Sequence, residues 1–507
     1  MSCPLVSAGC RGCAATNRRQ FLGTLAAVPF ALSTAGSRGA RGAEPARQQP
    51  VRLALKVQPV LIYSLSQRRE ASSWRPWGGL HTEADVAAEK ERIGRELAAM
   101  ANQAEFPLEL LPLAEARSAA EAEALARGSY DATIMFAASG PLGALEALAR
   151  ARRWNLMFVR HRSGPVYLWY EIAHPRFLRK TVDHYGQPNM DVDDVVVDSY
   201  GELLWRLRAL AALKNTLGKR IVAVGGPGGW GAGGMLAPQR SREIFQLDIV
   251  TVPYRVLGER IQRARSNQAF LRRAHSAAEE YLRQDGTRLE TDRKFVLNAF
   301  VLNEIFHDLL DEARTDAITI NECMSTIMPL AETTACMPLS VLNDAGYMAF
   351  CESDFVVIPA GILLRYISGK PVFLNDPTWP HDGVVTIAHC TAPRKMDGKT
   401  LEPVRILTHF ESDYGAAPKV EMRKGAVMSN LIPDFNFRRW LGFRGQIVDV
   451  PFLDICRSQV DVSVEGDLAR LVREMPGFHW MSCYGDYLKE VGYALAKLGI
   501  QWSNVSA

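Results

Sequence analysis

Apolar residues run almost unbroken through 51–63, which predicts a buried strand, and the Ala/Glu-rich segment 84–101 then repeats its apolar positions at helical spacing. The alternation continues with a strand-like run at 106–111, a helix-like one at 113–126, a buried strand at 131–137, a helix at 141–150 and a strand at 155–159. A second unit repeats the pattern: strand 195–197, helix 201–217, strand 220–224, a glycine-rich loop at 225–234 and a strand within 245–252. Long helical segments between 256 and 314 lead to strand 317–321, a helix near 338–343, strand 347–351 and helix 356–367. Strands separated by helices predict doubly wound parallel sheets. Gly369-Lys370-Pro371 breaks the pattern, and the segments beyond it are short and alternating, at 384–388, 404–408, 419–422 and 446–450, before a terminal helix at 487–498. The expected fold is therefore α/β: two Rossmann-like doubly wound domains at 51–165 and 166–370, then a β-rich, barrel-like domain at 371–507.

At 507 residues the chain is too long for one core, and its 48% hydrophobic and 22% charged residues exclude collagen-like, coiled-coil and disordered classes. The net charge of +4 comes from one end. Residues 1–43 carry Arg11, Arg18, Arg19, Arg38 and Arg41 and no acid, which leaves 54 basic against 55 acidic side chains beyond them. That balance predicts no nucleic-acid partner. Asn17-Arg18-Arg19-Gln20-Phe21-Leu22 is a twin-arginine signature, and the apolar run 21–32 that follows ends in the small residues 33–37. Residues 1–43 thus read as a leader cleaved after Ala35, which predicts export by the twin-arginine route to a periplasmic or extracellular location. Its apolar run falls well short of the ~20 residues that span a bilayer, so no stable membrane insertion is expected. Cys10-x-x-Cys13 would leave with the leader, and the six later cysteines are too sparse for a disulfide framework, so most should be buried thiols.

Two features offer chemistry. Gly226-Pro227-Gly228-Gly229-Trp230-Gly231 is a G-x-G-x-x-G after a strand, with Asp248 about 20 residues on, as in a dinucleotide fingerprint; Pro227 and further glycines to Gly234 keep it from opening a helix cleanly. This feature supports an exported NADP-dependent sugar oxidoreductase as the alternative function. Between 316 and 389, polar residues follow apolar strands: Asn321-Glu322, Cys351-Glu352-Ser353-Asp354, Asn375-Asp376 and His389-Cys390. Ligands bind at such carboxyl ends in open parallel sheets, and carboxylates with an imidazole suit manganese or a similar divalent cation. Taken singly, each also has a structural role open to it: Glu322 as a helix cap, Glu352 in an ion pair, Asp376 in a turn, His389 in a core.

The run Cys351-Glu352-Ser353-Asp354, a helix, Ser368-Gly369-Lys370-Pro371 and then Asp376 resembles the L-fucose isomerase and L-arabinose isomerase superfamily, and Phe478-His479-Trp480 resembles its C-terminal metal-binding histidine motif. The arabinose branch has adjacent histidines there, whereas here Trp480 follows His479. The resemblance implies an α/β, α/β, β-barrel architecture and a metal-dependent aldose-ketose isomerase acting through an enediolate. It assigns catalysis to Glu352 and Asp376, a metal, Mn2+ by preference, to Glu352, Asp376 and His479, and substrate contact to His389. Glu322, Trp230 and Trp379 complete the expected sugar site, the tryptophans by stacking. A sugar substrate and assembly into a trimer or hexamer follow from the same resemblance, and a sugar-binding protein on the isomerase fold without turnover is its non-catalytic counterpart.

Overall fold

The computed structural model describes residues 52–507, so the leader expected over 1–43 and its cleavage point lie outside the described residues. The first strand, β1 (Leu55–Ile62), exposes only Lys56. With β2 (Leu108–Leu110), β3 (Ala114–Ala116), β4 (Ala132–Ala137), β5 (Trp154–Val159) and β6 (Val195–Val197) it forms a parallel sheet in the order β2-β1-β4-β5-β6, β3 also pairing β1. Every residue of β4 is buried, as a parallel strand covered on both faces requires. Two local expectations shift. The helix expected from 113 begins only at Ala119, because β3 occupies 114–116 and Ser118 caps the helix by accepting from the Glu121 amide. The three valines of β6, expected to open the second unit, pair with β5 instead; so short a run carries no mark of its partner.

A second sheet holds β7 (Arg220–Val224) and β8 (Asp248–Val252). The chain then passes through β9 (Thr287–Leu289), which pairs elsewhere, before β10 (Ala317–Ile320) and β11 (Met348–Phe350) complete the parallel order β11-β10-β7-β8. Since β8 lies on one side of β7 and β10 on the other, the winding reverses between β7 and β10. Loops leaving the carboxyl ends of those two strands diverge and open a crevice.

The remaining strands are β12 (Phe373–Pro377), β13 (Val384–His389), β14 (Val404–His409), β15 (Tyr414–Val420), β16 (Val427–Pro433), β17 (Arg439–Asp449), β18 (Ser458–Ser463), β19 (Trp480–Tyr484) and β20 (Gln501–Asn504). Six of them run antiparallel in the order β16-β19-β12-β13-β18-β17, and pairing of β16 with β17 closes the ring into a barrel. Closure removes the unpaired edges that an open sheet would present. β20 lies parallel to β17, while β14 pairs antiparallel with β15 and parallel with β9. Among the described residues no helix is long and apolar enough to cross a membrane.

Candidate functional site

A cavity of about 500 Å³ opens where the carboxyl ends of β7, β10 and β11 meet β12, β13 and β14, a size within the range of small-molecule sites. Its lining includes Glu322, Glu352, Asp376 and Glu411 and no lysine or arginine. Such a lining draws cations in and repels phosphates.

The turn after β11 shapes one wall. Glu352 has φ 62° and Ser353 φ 45°, two successive non-glycine residues in the left-handed region, and Glu322 after β10 has φ 42°. Each costs about 1–3 kcal/mol and persists only where its surroundings hold it. The glycine-rich loop after β7 does the holding: Gly228 N–H donates to the Ser353 carbonyl (3.1 Å), Phe355 N–H donates to the Gly228 carbonyl (3.1 Å), and Trp230 N–H donates to Asp354 Oδ1 (3.1 Å). Asp354 is thereby buried at the turn, while 43% of the Glu352 side chain stays exposed.

His479, immediately before β19, completes the constellation. Its Nδ1 lies 2.6 Å from Asp354 Oδ2. An ionised carboxylate only accepts, so Nδ1 carries the hydrogen and Nε2 points at the other acids. Nε2 stands 3.3 Å from Glu352 Oε2 and 3.0 Å from Asp376 Oδ1. Asp376 Oδ1 is buried and has no aligned hydrogen bond, its ion-pair contact being with His479 Nε2, so it is an oxygen that a cation would satisfy. The donor set of two carboxylates and one imidazole fits a hard or borderline divalent cation. These three donors do not all fall within 4.8 Å of one another; among the described residues, the His/Cys/Asp/Glu group that does is Cys336, Cys390 and His409. The two acids flank Nε2 instead of crowding one side.

Electrostatics agree with a cation-seeking centre. Burial opposes charge on His479, but Asp354, Asp376 and Glu352 outweigh it and push the imidazole up to about 12, so without an ion the ring carries a proton on both nitrogens and ligation through Nε2 requires that proton to leave. Burial likewise disfavours a charged Glu352, yet His389 and His479 hold it well below the usual carboxylate range. His389, whose Nε2 is 3.7 Å from Glu352 Oε1 and whose Nδ1 is 3.0 Å from Thr391 Oγ1, is pushed up to about 9, Glu352 and Asp376 overcoming burial.

Of the other residues expected at a sugar site, Glu322 and Trp230 line this cavity; Trp230 is 45% exposed and stacks on Phe478 with centroids 4.3 Å apart. Trp379, beyond β12, is 73% exposed and is not among the lining residues. The glycine motif spends its amides internally: Gly225, Gly226, Gly228, Trp230 and Gly234 N–H groups all donate to protein oxygens. A Cβ on Gly229 would sit 2.1 Å from the Gly234 carbonyl oxygen, so glycine is required there by close backbone approach. After one 3₁₀ turn at Ala232–Gly234, the next α-helix begins only at Ala237, eleven residues past Gly226. Asp354 was overlooked as a site residue; its place two residues after Glu352 was the available signal. His409 and the thiols around it carried no sequence spacing to betray them.

No protein-family model matches the chain, and no curated protein matches it.

Proposed function

We propose that this protein is a metal-dependent aldose-ketose isomerase, a divergent relative of the L-fucose and L-arabinose isomerases, exported by the twin-arginine route and working on a sugar as a trimer or hexamer. On this reading the two parallel sheets are the doubly wound domains of that superfamily. The observation that carries the proposal is the convergence of Glu352 and Asp376 on His479 Nε2, with Asp354 fixing the ring from behind.

Interconverting an aldose and its ketose moves a hydrogen between C1 and C2, and the C2 proton is too weakly acidic to leave unaided at neutral pH. A divalent metal, Mn2+ by preference, would be held by Glu352, Asp376 and His479 and would stabilise the negative charge that develops on neighbouring sugar oxygens. The remaining work falls to side chains. Glu352, ionised at neutral pH and open to the cavity, takes or returns a proton on one side of the carbon pair, and Asp376 serves the other. Flanking placement of the acids suits a proton removed from one carbon and delivered to the next. His389 Nε2 faces the same space and donates to a sugar oxygen, Glu322 accepts from a hydroxyl, and the Trp230 face receives the apolar side of the ring.

The alternative of an NADP-dependent oxidoreductase is weakened by a glycine loop in which the amides of Gly225, Gly226, Gly228, Trp230 and Gly234 are already engaged and by a lining with four carboxylates and no lysine or arginine. The test is a screen of neutral aldoses and ketoses with Mn2+ added to the full chain, run on the parent and on Glu352→Gln. Activity in the parent should fall about 10²- to 10⁴-fold in the variant. Near-normal turnover by Glu352→Gln, or sugar binding without turnover in the parent, rejects the catalytic assignment.

A further inference from the structure

The cavity has a second chemical face. Cys336 begins the helix Cys336–Asp344, Cys390 follows β13, and His409 ends β14; all three are buried, and their donor atoms lie within 4.8 Å of one another. Cys336 also shares a thiol contact with Cys323, Cys336 and Cys390 share one with each other, and Cys390 shares one with Cys456. All six cysteines of the described residues are free thiols. Four sulfurs and an imidazole from five separate chain segments meeting at one wall is not what packing alone requires, since small apolar residues would fill that wall without polar atoms to satisfy.

His409 supplies an independent sign. It is 6% exposed, and its Nδ1 is buried with no hydrogen-bond partner. A buried imidazole nitrogen left so is destabilising unless something bonds to it. Glu411, an acid in the same lining, does not do so, and the cluster residues Cys323, Cys336, Cys390, Cys456 and His409 themselves line the cavity, which gives an ion a path in.

We infer that Cys336, Cys390 and His409 form a binding site for a thiophilic divalent cation of the zinc class, distinct from the oxygen-rich group at Glu352, Asp376 and His479 and independent of the isomerase proposal. Zinc bonds of about 2.3 Å to sulfur and about 2.0 Å to nitrogen place tetrahedral donors about 3.5–3.8 Å apart, so donors already within 4.8 Å of one another need close in by no more than about 1.3 Å when the ion enters. Binding displaces one proton from each ligating thiol to solvent. The fourth position falls to Cys456, Cys323 or a molecule from the cavity, whereas the oxygen-rich group offers no sulfur, so ligand chemistry separates the two sites.

Titration of the full chain with Co2+ tests this, because thiolate ligation gives a sulfur-to-cobalt charge-transfer band that carboxylate and imidazole ligation do not. One equivalent should produce the band, Zn2+ should abolish it by competition, and Glu352→Gln should leave it in place. Cys390→Ser and His409→Gln should weaken the apparent affinity tenfold or more, with far-UV circular dichroism reporting the fold. Should those variants fail to fold, X-ray absorption on the zinc-loaded parent decides: sulfur in the first shell supports the site, and a shell of oxygen and nitrogen alone overturns it. Absence of the band in the parent, its loss in Glu352→Gln, or a Cys390–Cys456 or Cys323–Cys336 disulfide in the purified chain also overturns it.

Discussion

Asp354→Asn is the sharpest perturbation of the site, because it changes one atom in a residue that touches neither sugar nor cation in the proposed reaction. Asp354 has two duties at once: Oδ1 accepts from Trp230 N–H at 3.1 Å and Val356 N–H at 3.0 Å, and Oδ2 faces His479 Nδ1 at 2.6 Å. Asparagine has one oxygen and one amide nitrogen. If the oxygen keeps the two backbone donors, the NH2 group faces Nδ1, which must then accept, and the ring hydrogen moves to Nε2, where it blocks ligation. If the oxygen turns to the histidine, the amide hydrogens meet two backbone donors at a residue only 1% exposed. Both outcomes lose the orientation and charge behind the ligand. Partners of this kind typically account for 10- to 100-fold in metal affinity, about 1.4–2.7 kcal/mol. Calorimetric titration of Mn2+ into the full chain, parent and variant side by side with circular dichroism as the fold control, reads that shift directly. An Asp354→Asn protein that is folded and binds Mn2+ within threefold of the parent would refute the positioning role.

Glu402, buried and bonded by the Tyr484 hydroxyl at 2.9 Å and the Arg423 N–H at 3.1 Å, is raised by burial from 4.5 to about 7. Its contribution to stability is complete below pH 4.5 and is lost as pH rises through 7, so Glu402→Gln should gain on the parent by about 3 kcal/mol between pH 4.5 and 8; urea denaturation at pH 5 and pH 8 checks this, and a pH-independent gap rejects it. Gly229→Ala forces a Cβ to within 2.1 Å of the Gly234 carbonyl oxygen and should cost about 1–3 kcal/mol while also weakening Mn2+ binding, since the displaced loop holds Asp354; unchanged stability by the same denaturation would reject the close-approach argument. Trp379→Ala should alter KM less than about twofold for any sugar turned over, because the ring is 73% exposed and off the cavity lining; a tenfold rise would return it to the sugar site.

What the sequence revealed tracks how local each signal is. Buried parallel strands such as β4 and β10 show as runs apolar but for one threonine because both faces are covered, and of the short runs beyond the break at Gly369-Lys370-Pro371, 384–388 and 446–450 fall on the barrel strands β13 and β17 while 404–408 and 419–422 fall on β14 and β15 outside the ring. Pairing partners were not legible: the three residues of β6 fit either parallel sheet, and β9 leaves its sequence neighbours to join β14. At the site, Glu352 and Asp376 could be picked out because each follows or ends a strand at a fixed offset. His389 could be picked out in the same way, at the end of its strand, and only His479 needed the family resemblance to stand out. The thiol wall was hidden, since Cys336, Cys390 and His409 lie far apart along the chain and only tertiary structure unites them. The glycine run misled for a physical reason: its glycines answer to tight backbone contact between Gly229 and Gly234 and to hydrogen bonds with the Ser353 turn, a demand that produces the same letters as a phosphate cradle.

The strand that delivers His479 sits between β12, which carries Asp376, and β16, and it lies 125 residues from the Asp354 it pairs with. A chain whose second parallel sheet is already formed thus owns Glu352 and Asp354 but neither Asp376 nor His479 until β12 and β19 join the ring. On the proposed function, ion capture and barrel completion would then be one event seen from two sides. Were the proposed ion held through His479, it would favour the closed ring by mass action, and an unfinished barrel would lack two of its three donors.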